Sequence, residues 1–282
     1  SDINPADGVV VNPDTGETFD SIQNAVGSAS TDDTLRVGAG TFNESVTIDV
    51  EGLTLEAAGA DVTTVDSSSG ATIKISGADN VSISSLELDG SGSSNGGAQG
   101  ISIQNGGSAT VIDTDITNAY GGIQTLSDGS SVTVDNVEVT DSVFGVGLQS
   151  DTKDVVQDST FEVSDQGIGI NGDNVEVSNN TITVDATLDT DDVAVFEQER
   201  GIDFLYQDGE NVTIEGNTIE STDTGIISQD NATGVTITGN NIAGDQVHVD
   251  DQGENLDLNA VLNDNSFDPT GVVDGVEIIP EE

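Results

Sequence analysis

Apolar and polar residues along this chain alternate in short runs that return at a nearly fixed interval. In "VSISSLEL" the apolar positions are Val81, Ile83, Leu86 and Leu88, at offsets 0, 2, 5 and 7. The same frame fits Ala109, Val111, Thr114 and Ile116, then Val132, Val134, Val137 and Val139. It continues at Val175, Val177, Asn180 and Ile182, at Val212, Ile214, Asn217 and Ile219, and at Val235, Ile237, Asn240 and Ile242. A last copy reads Ala260, Leu262, Asn265 and Phe267, and a degenerate one passes through Val156, Ser159 and Phe161. Copies start roughly 21 to 28 residues apart, with one gap of 37 between Val175 and Val212.

Offsets 0 and 2 alternate as a strand requires, and the jump from 2 to 5 marks a bend before the next inward pair. A glycine-led strand interleaves with each copy: "GISI", "GIQT", "GVGL", "GIGI", "GIDF" and "GIIS". A period of about 23 residues with three short strands predicts a coil of stacked rungs, because one repeat cannot bury its own apolar face. The expected fold is all-β, a single-stranded parallel β-helix of about 9–10 rungs. Residues 1–33 form an N-terminal segment with a capping helix, 34–268 the β-helix, and 269–282 a C-terminal tail or cap. Rungs sit about 4.8 Å apart, so equivalent residues stack into ladders. Asn180, Asn217, Asn240 and Asn265 share one column at the bend, where stacked amides satisfy the backbone of the turn.

Charge changes this picture. The chain carries 53 Asp plus Glu against four Lys plus Arg, for a net charge of −49. Self-repulsion on that scale opposes compaction in dilute buffer, while molar salt shortens the Debye length to about 3 Å. Regular apolar patterning argues against acidic disorder, so the composition fits a folded protein adapted to high salt. Four cations cannot neutralise a row of phosphates, which removes nucleic acid as a partner. Cys and Met are absent, so disulfides and thiolate or thioether metal sites are excluded. No apolar run approaches the ~18 residues of a membrane span. The start at Ser1 fits a mature exported protein, expected to be secreted or at the cell surface. Sequons at Asn43, Asn80, Asn179, Asn211 and Asn231 are glycosylation candidates in that setting.

"FDSIQNAV" (19–26) followed by "DDTLRVGAGTFNESVTI" (32–48) resembles the opening segment of the right-handed parallel β-helix superfamily, which includes pectate lyases and pectin methylesterases. The resemblance implies that a short helix carrying Phe19, Ile22, Ala25 and Val26 plugs the open end of the coil. Its chemistry does not transfer. The esterases' paired Asp with a nearby Arg is missing downstream of "GTFNESV", and the hydrolases' Gly-His-Gly signature has no counterpart. The extreme acidity adds the character of a halophilic archaeal-type surface protein.

Catalytic residues are therefore not assigned, and with 53 acids, carboxylate pairs on adjacent rungs arise by chance. The expected function is a non-catalytic extracellular, cell-surface or virion-surface structural or adhesion protein that partners like subunits, other surface proteins or glycans. The alternative is a carbohydrate-active enzyme, lyase or hydrolase, or a carbohydrate-binding module. No cofactor is expected, although stacked acids could hold calcium. Outward residues of the first strand, Ser82, Thr110, Thr133, Val155, Glu176, Thr213, Thr236 and Val261, form a strip in which only Glu176 is charged. Outward residues of the glycine-led strand run Lys74, Ser102, Gln124, Gly147, Gly169, Asp203, Ile227 and His248, with the small glycines expected to leave a trough. The 37-residue gap places extra residues at 185–200 as a loop ending on Arg200. Arg200, Asp203, Tyr206, Gln124 and His248 are the candidate binding residues.

Overall fold

The computed structural model describes residues 5–60, 62–67, 70–90, 99–127, 129–188, 199–204, 210–229, 232–253, 256–267, 272–273 and 276–277. The chain divides into two compact units, Ser1–Thr140 and Asp141–Glu282. Each is a parallel β-solenoid whose rungs are built from three short strands.

In the first unit, Thr34–Val37, Thr54–Ala57, Val81–Ser84, Ser108–Ile112 and Ser131–Asp135 mark five rungs. They pair parallel and in register, so Leu35, Leu55, Ile83, Val111 and Val134 form one inward column. Phe42, Val65, Leu88, Ile116 and Val139 form a second, and Val46, Ile73, Ile101 and Ile123 a third. All these side chains are buried, each contributing about 1.5–3 kcal/mol of hydrophobic stabilisation. Tight bends between strands need positive φ, and short polar residues supply it at Asn80, Asp113 and Asn136 (φ 57, 48 and 52).

The N-terminal helix is Ile22–Val26, with Ile22, Ala25 and Val26 buried. Phe19 is not on it but in the preceding strand Thr18–Phe19, which pairs antiparallel with Val10–Val11. A five-residue helix is too short to hold itself together, and Glu44 compensates. Its carboxylate accepts the backbone N–H groups of Ile22 (2.7 Å) and Gln23 (2.9 Å) and the Ser21 hydroxyl (2.9 Å).

The second unit repeats the scheme over four rungs, led by Asp154–Gln157, Val175–Ser178, Thr213–Glu215 and Thr236–Thr238. Val156, Val177, Ile214 and Ile237 stack inward. So do Phe161, Ile182, Ile219, Ile242 and Phe267. At the bend between these columns Asn180 Nδ2 donates to Asn217 Oδ1 (3.0 Å), Asn217 to Asn240 (2.9 Å) and Asn240 to Asn265 (2.9 Å). Each Oδ1 also accepts the backbone N–H one rung earlier, and each Nδ2 a step further reaches a strand carbonyl.

One repeat is misread by its periodicity. Residues Leu258–Asp264, expected as a strand through Ala260 and Leu262, form a helix capped by Asp257, with Val261 buried instead of facing outward. "LNAVLND" has apolar residues at spacings that suit a helix as well as a strand, and the Asp257 cap decides between them. Asn265 and Phe267 keep their columns, because Ser266–Phe267 pairs with Asn241 and Ile242.

Glycines of the third strand mark where rungs come closest. A Cβ added at Gly167, Gly201 or Gly225 would lie 2.5, 2.4 or 2.6 Å from the carbonyl oxygen of the next rung.

Candidate functional site

Arg200 opens the strand Arg200–Phe204, and its Nη1 forms an ion pair with Asp203 Oδ2. The pair is deeply covered, the Arg200 side chain being 11% exposed and that of Asp203 0%. Parallel pairing sets Gln166 beside Arg200 and Gly169 beside Asp203 on one neighbouring rung, and Thr224 and Ile227 beside them on the other. Gln166 Nε2 donates to Asp203 Oδ2 at 3.3 Å, while Asp203 Oδ1 has no hydrogen-bond partner among the described residues. Burial raises the Asp203 carboxyl to about 6, against the opposing charge and hydrogen bond of Arg200 and the bond from Gln166.

A second carboxyl joins the cluster one rung on. Asp223 is 5% exposed, and burial raises its pKa, partly offset by the Thr224 hydroxyl bond. Glu199 and Asp250 push it further up by like charge, while Arg200 pulls it down. Thr224 Oγ1 donates to Asp223 Oδ1 at 3.3 Å. Arg200 thus acts electrostatically on two desolvated carboxyls, an arrangement able to hold a proton near neutrality. No group of three His, Cys, Asp or Glu side chains among the described residues is arranged to hold a metal.

Of the residues nominated from sequence, Arg200 and Asp203 come together. Gln124 belongs to the first unit, where its Oε1 accepts from Gln99 Nε2. Tyr206, Asn231 and most of the extra segment (189–198) lie outside the described residues. His248 does not share the Asp203 column: Asp203 pairs with Ile227, and Ile227 with Asp250. His248 sits two residues before Asp250, the member of that column, and is fully buried, its Nδ1 accepting the Gly244 N–H at 3.0 Å and its ring 5.6 Å from that of Phe267. Nor is the expected trough open at Gly169. The amide of Gln166 fills it, within 2.9 Å of where a Gly169 Cβ would stand. Asp223 and Gln166 were not singled out from sequence: Asp223 lies between the strands Thr218–Ser221 and Thr224–Ser228, and Gln166 lies within Thr160–Ile170, where every residue from Val163 to Ile170 is buried and alternation gives no facing.

Four sequon asparagines, Asn43, Asn80, Asn179 and Asn211, are exposed. Three of them, Asn80, Asn179 and Asn211, hold positive φ (57, 57 and 59), so the turn itself calls for Asn at those places.

A depression of about 300 Å³ lies in the second unit on the outer side of Thr181–Val184, Thr218–Ser221 and Asn241–Gly244. Thr183, Asp185, Glu220, Ser221, Thr222 and Asp245 line it. No helix among the described residues is long and apolar enough to cross a membrane.

Comparison with solved structures gives several β-helical neighbours. The enzymatically active domain of tailspike protein 2 of bacteriophage CBA120 aligns with a TM-score of 0.64 at 15% identity, over 96% of this chain and 46% of that one. The A-module of Azotobacter vinelandii mannuronan C-5 epimerase AlgE6 aligns at 0.57 and 14% identity, over 87% and 70%. A pectin methylesterase in complex with a hexasaccharide aligns at 0.51 and 13%, over 84% and 82%. At these identities the likeness is one of fold. A comparison with curated proteins finds no significant relative. The family described as "Right handed beta helix region" matches residues 69–242. Together with the stacked parallel rungs, that match makes this chain a member of the right-handed β-helix family.

Proposed function

We propose that this chain is a secreted or surface-exposed β-helix, adapted to high salt in the manner of halophilic archaeal-type proteins, that holds its partner without transforming it. Glycans are the proposed partner class, with like subunits and other surface proteins as further contacts. The observation that carries the reading is how the cations are used. Three of the four Lys and Arg face a carboxylate: Arg36 Nε lies 3.4 Å from Glu56, Lys153 Nζ 3.2 Å from Glu176, and Arg200 is paired with Asp203 beneath the surface. That leaves Lys74, on the strand Ile73–Ser76, without an ion pair among the described residues. Chemistry on uronate chains needs a positive group to receive the substrate carboxylate, and a surface carrying −49 repels such chains. The neighbours' titles name a mannuronan epimerase and a pectin methylesterase. They support carbohydrate as the partner class, while the charge of this chain speaks for uncharged carbohydrate.

A second reading, a glycoside hydrolase, is favoured by the two raised carboxyls, since such enzymes pair a proton-holding acid with a second carboxylate. The complete burial of Asp203 under Arg200 weighs against it. The test is incubation in molar KCl with neutral and uronic polysaccharides, following reducing ends, unsaturated uronate absorbance and methanol release. The expected result is no product from any of them. Product that disappears in Asp203→Asn would replace the binding reading with the hydrolytic one.

A further inference from the structure

The depression on the outer side of Thr181–Val184, Thr218–Ser221 and Asn241–Gly244 adjoins the Arg200 cluster through Ser221, whose Oγ accepts the Asp223 N–H at 3.3 Å, but opens on a different wall with one chemical bias. Register places Thr183, Glu220 and Ala243 side by side on three successive rungs, with Val184, Ser221 and Gly244 next to them. Small Ala243 in line with Thr183 and Glu220 makes the hollow. Three rungs span about 10 Å along the stack, two rung spacings. At the corner Asp185, Thr222 and Asp245 follow one another, Thr222 N bonding to Val184 O (3.0 Å) and Asp245 N to Ser221 O (3.0 Å).

The hydroxyl protons of this wall are already donated. Ser221 Oγ gives its proton to Glu199 O (3.0 Å) and Thr222 Oγ1 to Val184 O (3.4 Å). Asp185 accepts the Thr187 N–H at 2.8 Å, and that bond lowers its pKa, which keeps it ionised. Glu220 and Asp245 are exposed carboxylates, acceptor-only when ionised. Thr183 alone retains a hydroxyl proton that no described bond engages. The groove therefore presents acceptors and lacks a cation, so its ligand must bring the donors and must not be anionic.

We propose that this groove binds a short stretch of uncharged glycan, whose closely spaced hydroxyls donate to Asp185, Glu220, Asp245 and the oxygen of Thr222. The proposal rests on the glycan-binding reading and fixes its place and its ligand class. Hydrogen bonds of this kind tolerate molar salt, whereas attraction of a cationic ligand is screened within about 3 Å. Metal binding is the less suited use, since no three ligating side chains among the described residues converge.

The experiment is affinity electrophoresis of the full chain in molar KCl, in gels containing a neutral glucan, mannan or galactan, with polygalacturonate and chitosan oligomers as controls. Three proteins are compared: the native chain, Glu220→Ala with Asp245→Ala, and Ala243→Tyr, which fills the hollow. All substitutions are at partly or fully exposed positions, and unchanged cooperative melting checks the fold. The expected result is retardation by at least one neutral polysaccharide, with about tenfold or greater weakening in both variants, none by polygalacturonate, and no change when KCl is doubled. Retardation equal in all three proteins would overturn the groove while leaving glycan binding intact. Absence of retardation in every neutral gel would overturn both, and retardation by chitosan alone that fades with added salt would overturn the uncharged ligand.

Discussion

Asn217 Nδ2 lies 2.9 Å from Asn240 Oδ1, and the same Oδ1 accepts the backbone N–H of Asn217 at 2.8 Å. One amide thus closes a bend and joins two rungs. Asn217 Nδ2 also reaches Val177 O (3.0 Å) and Glu215 O (3.2 Å), and the residue is 1% exposed. Removing it strands buried backbone groups that water cannot reach, at about 1–3 kcal/mol for each.

Asn217→Leu is accordingly expected to lower unfolding stability by at least about 2 kcal/mol. Thr213→Leu, at a half-buried outward position on the same rung, should stay within about 0.5 kcal/mol. Chemical denaturation in molar KCl measures both, and equal losses would contradict the inward placement of the amide.

Asp203 makes stability depend on pH with an unusual sign. Its folded-state pKa of about 6 exceeds the ordinary value near 4 of the unfolded chain, so folding takes up a proton between the two. The contribution is fully present below about pH 4 and is lost as pH rises through about 6, to the extent of about 3 kcal/mol. Asp223, also raised, adds in the same direction. Denaturation at constant salt should show stability falling from pH 4 to 7, with a shallower fall in Asp203→Asn.

Arg200 restrains that shift. Arg200→Met removes the charge and the hydrogen bond that hold Asp203 down, so its carboxyl should titrate above 6. Carbon-13 NMR of labelled aspartate reads this directly, and an unmoved titration would deny the coupling.

Close approach of rungs at the glycine column predicts a third loss. Gly201→Ala would set a Cβ 2.4 Å from both Gly225 O and Ile219 Cγ2, and overpacking of this kind costs about 1–3 kcal/mol. Gly145→Ala, which would meet Gly167 O at 2.4 Å, should behave alike, and thermal melting tests both.

Salt acts on the whole surface. With a net charge of −49, the melting temperature should climb steeply between about 0.1 M and 1 M KCl as the Debye length falls from about 10 to 3 Å. A flat melting temperature over that range would remove the high-salt reading.

Much of the fold was legible because the rung is a local object. Val81, Ile83 and Leu88 announce their inward columns through spacing alone, and Asn180, Asn217, Asn240 and Asn265 line up once the frame is set. The helix Leu258–Asp264 was not legible, since Ala260 and Leu262 satisfy a two-residue alternation that only the Asp257 cap overrides. His248 was misplaced because a glycine-led strand has no side chain to fix its frame, and "QVHVD" enters two residues out of the expected register with "GIIS", so that Ile227 meets Asp250. The Arg200 cluster was half legible. Arg200 and Asp203 lie close in sequence, but Gln166 and Asp223 reach them only through stacking, which sequence spacing of 34 and 23 residues from Arg200 does not reveal.

The amide ladder runs one way only. From Asn180 to Asn240 each Nδ2 donates to the Oδ1 of the next asparagine and back to a strand carbonyl of the preceding rung. Both protons of Asn265 Nδ2 are instead taken by carbonyls, Ile237 O and, on the helix Leu258–Asp264, Val261 O, each at 2.8 Å. That helix therefore acts as a terminator. A further copy of the repeat, brought from another chain to extend the stack, would find no amide proton waiting at this column, which gives the array a defined last member.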